Sequence, residues 1–338
     1  LIRRNKMDFE RFTDLNEHIE DNATNNLRPK TFDDYIGQEK LKQAMKLYIK
    51  AAKLRDEPVD HILLYGPPGL GKTSLAYVVA NEMNKNIKIT SGPVLEKSGD
   101  LASILTSLED GDILFIDEIH RLNTSVEEIL YPAMEDGEID ILIGKGHAAK
   151  SIRIELPRFT LIGATTNAGK LSKPLRDRFG VTHRMDMYTT KELEHIIKRS
   201  ASIFEIEYEQ DAIESMARRS RGTPRLANRL LKRARDYATI NGNGKIDAKS
   251  VSGILNMLEI DEFGLDSMDR SILIKIIENY NGGPVGLETL AILLGEDKRT
   301  VEEVYEPYLI SQGLIKRTHR GRMVTDKAYI HLGLKEKP

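Results

Sequence analysis

The 338-residue chain is 40% apolar and 30% charged, the composition of a soluble globular protein with room for two or three cores. A formal net charge of −2 excludes a uniformly basic nucleic-acid binder, so any such contact has to come from a local patch. Cys 0 excludes disulfides, cysteine-ligated zinc and thiol catalysis and suits a reducing cytoplasmic setting, while no apolar stretch nears the roughly 18 residues of a membrane span.

No signal-peptide pattern opens the chain, and since its first residue is Leu1 the natural start is expected to be missing or altered. Residues 1–26 are polar, mixed in charge and without periodicity, and read as a tail. Leu27 to Gln38 carries turn residues and a few apolar anchors. A helix is predicted from Glu39 to Leu54, with Leu41, Met45, Leu47, Tyr48 and Ala51 as its apolar face.

The apolar run His61 to Tyr65 then leads into Gly66-Pro67-Pro68-Gly69-Leu70-Gly71-Lys72-Thr73, and a helix-like run from Ser74 to Ala80 follows. The octet fits G-x-x-x-x-G-K-[ST]. Glycines let the backbone turn so that its N–H groups cradle a triphosphate at a helix N-terminus, where the dipole favours negative charge. In that frame Lys72 reaches the β- and γ-phosphates and the Thr73 hydroxyl ligates Mg²⁺.

Ile87 to Thr90 reads as a strand, and Asp100 is expected to cap a helix running through Leu108. Asp112 to Glu118 is a buried-strand run ending in two carboxylates, a Walker B segment in which Asp117 serves the metal and Glu118 polarises the attacking water. A helix from Ser125 to Met134 precedes a hairpin, where Ile139, Ile141, Ile143 and then Ile152, Ile154, Leu156 recur with period two around Gly144-Lys145-Gly146. The pattern fits an ordinary protruding ribbon and a partner-docking ribbon equally well. Phe159 to Gly163 is a further strand, ending in Ala164-Thr165-Thr166-Asn167. Alternating strands and helices imply a parallel sheet with ligands at the strand C-termini, and Thr166 and Asn167 fall there, placed to sense a γ-phosphate.

From Thr189 to about Leu258 the pattern is helical only, with segments Lys191 to Phe204, Asp211 to Arg219, Pro224 to Ile240 and Asp247 to Leu258. Among its many arginines, Arg225 starts a helix directly after Gly222-Thr223-Pro224 and is the one aimed at a nucleotide. Glu259 to Gly264 reads as a linker. Three helices follow, at Asp269 to Tyr280, Leu287 to Leu294 and from Lys298, the last with Pro307 positioned to kink it. A hairpin around His319-Arg320-Gly321 completes a winged helix. Glu302, Glu303 and Glu306 on the third helix would repel phosphates, so contact with a nucleic-acid backbone is expected from Lys316, Arg317, Arg320 and Arg322 on the wing; a merely solvated tip is the competing reading.

In this order, the phosphate loop, the Asp117-Glu118-Ile119-His120-Arg121-Leu122 stretch, Gly163 to Thr166, Leu175-Arg176-Asp177-Arg178-Phe179, Ser220 to Arg225 and Glu306-Pro307-Tyr308-Leu309 resemble the AAA+ ATPases. Within them, the set resembles the bacterial Holliday-junction branch-migration motors from about Leu27 to Gly333. The resemblance implies an α/β P-loop NTPase (AAA+) core at 27–188, a helical lid at 189–260 and a winged-helix DNA-binding domain at 261–338. It implies ATP or ADP with Mg²⁺ as ligands, held by Gly66 to Ser74 with Thr73 and Asp117 at the metal, and Leu27, Arg28, Tyr35, Ile36, Tyr188 and Pro224 around adenine. Lys72, Asp117, Glu118, Thr166 as first sensor, Arg225 as second sensor in cis and Arg178 as an arginine finger toward the next subunit are the implied catalytic set. Ile139, Ile141 and Ile143 would dock the junction-binding protein RuvA, and Arg317, Arg320 and Arg322 would face DNA. The implied setting is a hexameric ring on duplex DNA and Holliday junctions, working with RuvA and RuvC in homologous recombination and DNA repair.

Two positions depart from the family pattern, Asn167 where arginine is usual and His319 where proline is usual. His120 reads as a structural hydrogen-bonder. The alternatives are another AAA+ DNA machine, a clamp loader or replication initiator, and a nucleotide-binding scaffold that does not hydrolyse. Clamp loaders commonly carry a Ser-Arg-Cys finger and a helical collar, whereas this sequence has no cysteine and ends in an expected winged helix.

Overall fold

The computed structural model describes residues 27–143 and 150–334; the tail and the turn around Gly144-Lys145-Gly146 expected from the sequence, and residues 335–338, lie outside that range. The chain divides into two compact units, Leu1–Glu205 with Thr223–Asn228 and Ile206–Gly222 with Arg229–Pro338.

In the first unit, β1 (Ile62–Tyr65), β2 (Ile87–Ser91), β3 (Ile113–Asp117), β6 (Thr160–Thr165) and β7 (Val181–Arg184) form one parallel sheet in the order β2-β3-β6-β1-β7, while β4 (Glu138–Ile143) and β5 (Lys150–Glu155) pair antiparallel as a separate ribbon. β6 lies between β3 and β1 and is buried at every residue, which accounts for its nearly unbroken apolar run. β7 was not expected from the sequence: Val181-Thr182-His183-Arg184 buries only its first residue, as an edge strand can.

One core cluster packs Leu63, Leu114, Ile116 and Leu161 of the sheet against Leu101 and Leu105 of the helix Ser98–Thr106 and Val126 and Leu130 of the helix Thr124–Glu135. The first described helix runs Glu39–Arg55 and buries Leu41, Met45, Ile49 and Ala52, spaced at the helical period. This corrects the expected face: Leu47 and Tyr48 lie on the far side, with Leu47 65% exposed. Asp100 is not the cap residue itself. It stands inside the helix Ser98–Thr106 and accepts a 2.9 Å hydrogen bond from the Lys97 N–H, satisfying a donor from within the first turn.

The second unit contains the helices Gln210–Arg218 and Ala248–Met257, and then a winged helix with its own core. The helices Ser267–Tyr280 and Leu287–Leu294 precede an interrupted third helix. Lys298–Thr300 continues into a π-turn at Val301–Tyr305, and α geometry resumes at Glu306–Ser311 with Pro307 in its first turn. Pro307 has no N–H for an i→i−4 bond, and the wider turn just before it is where the ladder absorbs that loss. β8 (Ile315–Thr318) and β9 (Gly321–Val324) form the wing, with Arg317 opposite Arg322. β9 lies close against Val285: a Cβ on Gly321, at φ +134°, would stand 2.2 Å from the Val285 carbonyl oxygen. No described helix is long and apolar enough to cross a membrane.

Candidate active site

The phosphate loop joins the C-terminal end of β1 to the helix Lys72–Met83. Gly66, Gly69 and Gly71 all take positive φ, and a Cβ on Gly66 would meet the Met185 carbonyl oxygen at 2.5 Å, so the loop closes only on glycine there. The Lys72 side chain folds back over the loop and donates to the carbonyls of Gly66 and Pro67, both at 2.8 Å. Burial draws the Lys72 ammonium below the usual lysine range, with the Asp117 carboxylate opposing the shift. A phosphate oxygen is a stronger, charged acceptor than those two carbonyls, so a polyphosphate can take the ammonium over from them.

The strands on either side of β6 bring the other predicted groups to the same edge. Asp117 ends β3 and accepts the Glu118 N–H at 2.9 Å. Glu118 follows at φ +47°, a left-handed conformation uncommon outside glycine, and its carboxylate is held by Arg121 at 2.8 Å. Thr165 ends β6 fully buried, with its hydroxyl 2.8 Å from His120 Nδ1 and accepting the Asn167 N–H at 3.0 Å. Thr166 and Asn167 come next, exposed beyond the strand end. His120 thus has a structural partner in the Thr165 hydroxyl. The loop after β1, the carboxylates after β3 and the threonines after β6 stand side by side because β3, β6 and β1 are neighbours.

On the other side of the loop, Leu27, Arg28, Tyr35, Ile36, Leu70, Gly71, Ser74, Tyr188 and Pro224 line one cavity of about 90 Å³. The Tyr188 hydroxyl donates to the Leu70 carbonyl at 3.2 Å and lies 3.4 Å from the Tyr35 hydroxyl. Burial pushes both phenols up, Tyr188 to about 12 and Tyr35 well above its ordinary value, so both stay neutral donors. Arg225 abuts the loop directly: its N–H points to the Gly69 carbonyl at 3.4 Å. Sequence reasoning missed Ile196, Arg199, Ser200 and Asn228 in the same cavity. Three of them recur at helical spacing on Thr190–Ile203, just after Tyr188, and Arg199 fixes the Leu27 carbonyl at 2.7 Å. A larger cavity of about 440 Å³, lined in part by His61, Arg158 and Arg178, includes neither the phosphate loop nor the acidic pair and is not the triphosphate site.

Comparison with known proteins follows these lines. Residues 27–185 match the Holliday junction DNA helicase RuvB P-loop domain, 188–261 the RuvB AAA lid domain and 262–333 the RuvB C-terminal winged helix domain. A Holliday junction branch migration complex subunit RuvB from Fusobacterium nucleatum is 68% identical over 305 residues, 90% of this chain and 92% of its own length. The chain belongs to the RuvB family. The RuvB of Clostridium kluyveri is 59% identical over 319 residues, 94% of this chain and 91% of its own length. The solved Thermotoga maritima RuvB Holliday junction branch migration motor superposes with a TM-score of 0.83 at 54% identity, covering 92% of this chain and 99% of that one. The chain is therefore an AAA+ P-loop protein with a lid and a winged helix, as its sequence led one to expect.

Other residues expected from the sequence are held elsewhere in their own units. Arg178 is absent from both the loop and the adenine-side cavity; its guanidinium bonds Glu135 at 3.0 Å and the Pro174 carbonyl at 2.7 Å. In the ribbon, Ile139 is fully buried in the core cluster, so it anchors the ribbon and does not face a partner. The side chains of Ile141 and Ile143 lie outside the described residues, whereas Ile152 on β5 is 47% exposed.

On the wing, Glu306 is buried and takes Arg317 and Arg322 at 3.0 Å each. This corrects two expectations: Glu306 does not confront a phosphate, and Arg322, its side chain 12% exposed, turns inward. Lys316, Arg317 and Arg320 are the exposed cations of the ribbon, and of these Arg317 is engaged by Glu306 and Glu302.

Proposed function

We propose that this chain is the ATP-hydrolysing motor subunit of a Holliday-junction branch-migration complex, assembling as a hexameric ring on duplex DNA with RuvA and, at the junction, RuvC. The observation that carries the reading is the meeting of the phosphate loop, Asp117-Glu118 and Thr165-Thr166 at the ends of three adjacent strands. We assign the ATPase core to 27–188, the lid to 189–260 and the DNA-binding winged helix to 261–338.

In this reading the loop amides and Lys72 bind the β- and γ-phosphates of ATP, and Arg225 and Thr166 report on the γ-phosphate from two sides. The hard oxygens of Thr73, one residue past Lys72, and of Asp117, close enough to raise the Lys72 ammonium, fit a magnesium ion. When bound, that ion supplies charge neutralisation across the phosphates. Glu118 orients the attacking water in line, for which its carboxylate turns from Arg121 toward the phosphate. Tyr35, Tyr188, Ile36 and Pro224 seat adenine in the cavity beside the loop. Arg178 acts on the neighbouring subunit's ATP, and the exposed wing cations contact the DNA backbone.

Phosphate release with magnesium and duplex DNA, compared between wild type and Glu118→Gln, tests the chemistry. The wild type should turn over, and Glu118→Gln should bind ATP and release little phosphate. Equal, negligible release by both would favour a non-hydrolysing scaffold. Migration of a four-way junction in the presence of RuvA separates the reading from other AAA+ DNA machines.

A further inference from the structure

Arg178 is a long side chain that must stand still to be of use to a neighbour, and the fold spends one face of a helix on it. Glu127, Tyr131 and Glu135 stand four residues apart along Thr124–Glu135, on one stripe. The Arg178 guanidinium lies 4.6 Å over the Tyr131 ring, donates from Nη2 to Glu135 Oε2 and from Nη1 to the Pro174 carbonyl, and buries its Nε. Tyr131 is fixed in turn: its hydroxyl donates to Glu127 Oε2 at 3.1 Å, and the Ser172 hydroxyl donates to the same oxygen at 2.6 Å. Glu127 is itself buried, so this carboxylate is a rigid foot for the ring.

Each terminal guanidinium nitrogen carries two N–H groups and spends one on the chain's own oxygens. One N–H on each terminal nitrogen is thereby left for an outside acceptor, and a guanidinium held in this way suits a phosphate. The same helix begins just past the Glu118 turn and ends two residues before β4.

We propose that Tyr131 and Glu135 are positioning residues for Arg178: the stripe sets the angle at which the guanidinium is presented to the ATP of the adjacent subunit. The proposal rests on the reading of Arg178 as a finger acting in trans. Misplacement of such a group by about 1 Å can cost on the order of 100-fold in rate, so partial loss of the cradle should cost about tenfold. Tyr131→Leu and Glu135→Gln should lower kcat for ATP by about that factor and leave KM and nucleotide binding unchanged, because neither residue touches the chain's own phosphate loop. Tyr131→Phe keeps the ring face and should recover most of the rate. Glu135 is half-exposed, so Glu135→Gln keeps the core intact whatever Tyr131→Leu does.

Mixed rings give the readout that a merely structural role would not move. A Glu118→Gln subunit has a failed pocket and an intact finger; a Tyr131→Leu or Glu135→Gln subunit has the reverse. Mixing the two should raise turnover above the sum of the separate rates. Wild-type kcat in Glu135→Gln, or loss in Tyr131→Leu with no recovery on mixing, overturns the positioning role. If Arg178→Ala itself shows no recovery with Glu118→Gln, the trans-finger reading has failed instead.

Discussion

Glu306 stands on a helix that would meet DNA in a winged fold, and counting charge along that helix places it among three carboxylates opposing phosphate. Its environment reverses the inference. Buried beneath the ribbon, it is bound by Arg322 and Arg317, and the latter also reaches Glu302 at 3.2 Å. Burial alone would push its carboxyl up, but hydrogen bonds and charge from the two arginines outweigh that and hold it below the ordinary glutamate value. A depressed folded pKa means stabilisation present above the unfolded value of about 4.5 and lost as pH falls through the folded one. Glu306→Ala leaves buried Arg322 with only Glu302, 3.9 Å away, and should cost about 3 kcal/mol, the low end for a broken buried pair because that second carboxylate remains and Arg317 is half in water. Thermal unfolding of the full chain measures it, and acidification should narrow the gap to wild type. No local pattern reveals this, since Glu306 meets its partners only once the ribbon folds back from residues 317 and 322. The phosphate loop and the acidic pair were legible because each is contiguous and its chemistry is local.

At the scale of elements, most helices and strands could be read from periodicity, and the misses have particular causes. An edge strand such as β7 needs only one buried side, so Val181-Thr182-His183-Arg184 carries no apolar run. The π-turn before Pro307 leaves the apolar spacing at Val301, Tyr305, Tyr308 and Leu309 helical, so the pattern survived while the geometry changed. The cavity beside the loop was half legible: Tyr35, Tyr188 and Pro224 were identified through the resemblance, but Arg199 and Asn228 belong to helices whose packing the sequence does not announce.

The wing shows what such a difference does to function. With Arg317 and Arg322 engaged by Glu306, Arg320 at the exposed turn is the arginine that the proposed reading sets against a phosphate. Arg320→Ala should weaken duplex binding equally across sequences and reduce the slope of log K against log salt by about 1. Fluorescence anisotropy over a salt series reads both quantities. An unchanged slope would remove the wing tip from the interface.

For the whole molecule, the loop and the proposed metal ligands and base all come from one chain, yet the charge that the proposed mechanism adds from Arg178 does not. Arg178 is carried by the segment after the helix Lys173–Asp177 and is held against Tyr131 and Glu135, while Gly66 to Thr73 open on other side chains. A subunit alone should therefore bind nucleotide fully and hydrolyse it poorly. ATPase activity per chain should fall as the protein is diluted below its assembly range, while affinity for a fluorescent ATP analogue stays constant. Arg178→Ala should hold turnover at a low floor at every concentration, lower by a factor on the order of 10³ at high protein, as for other arginine fingers supplied in trans. Sedimentation at the same concentrations separates the two causes of a low rate. Activity per chain that does not change between the monomer and the ring would place the whole catalytic set within one subunit and leave Arg178 with a structural duty.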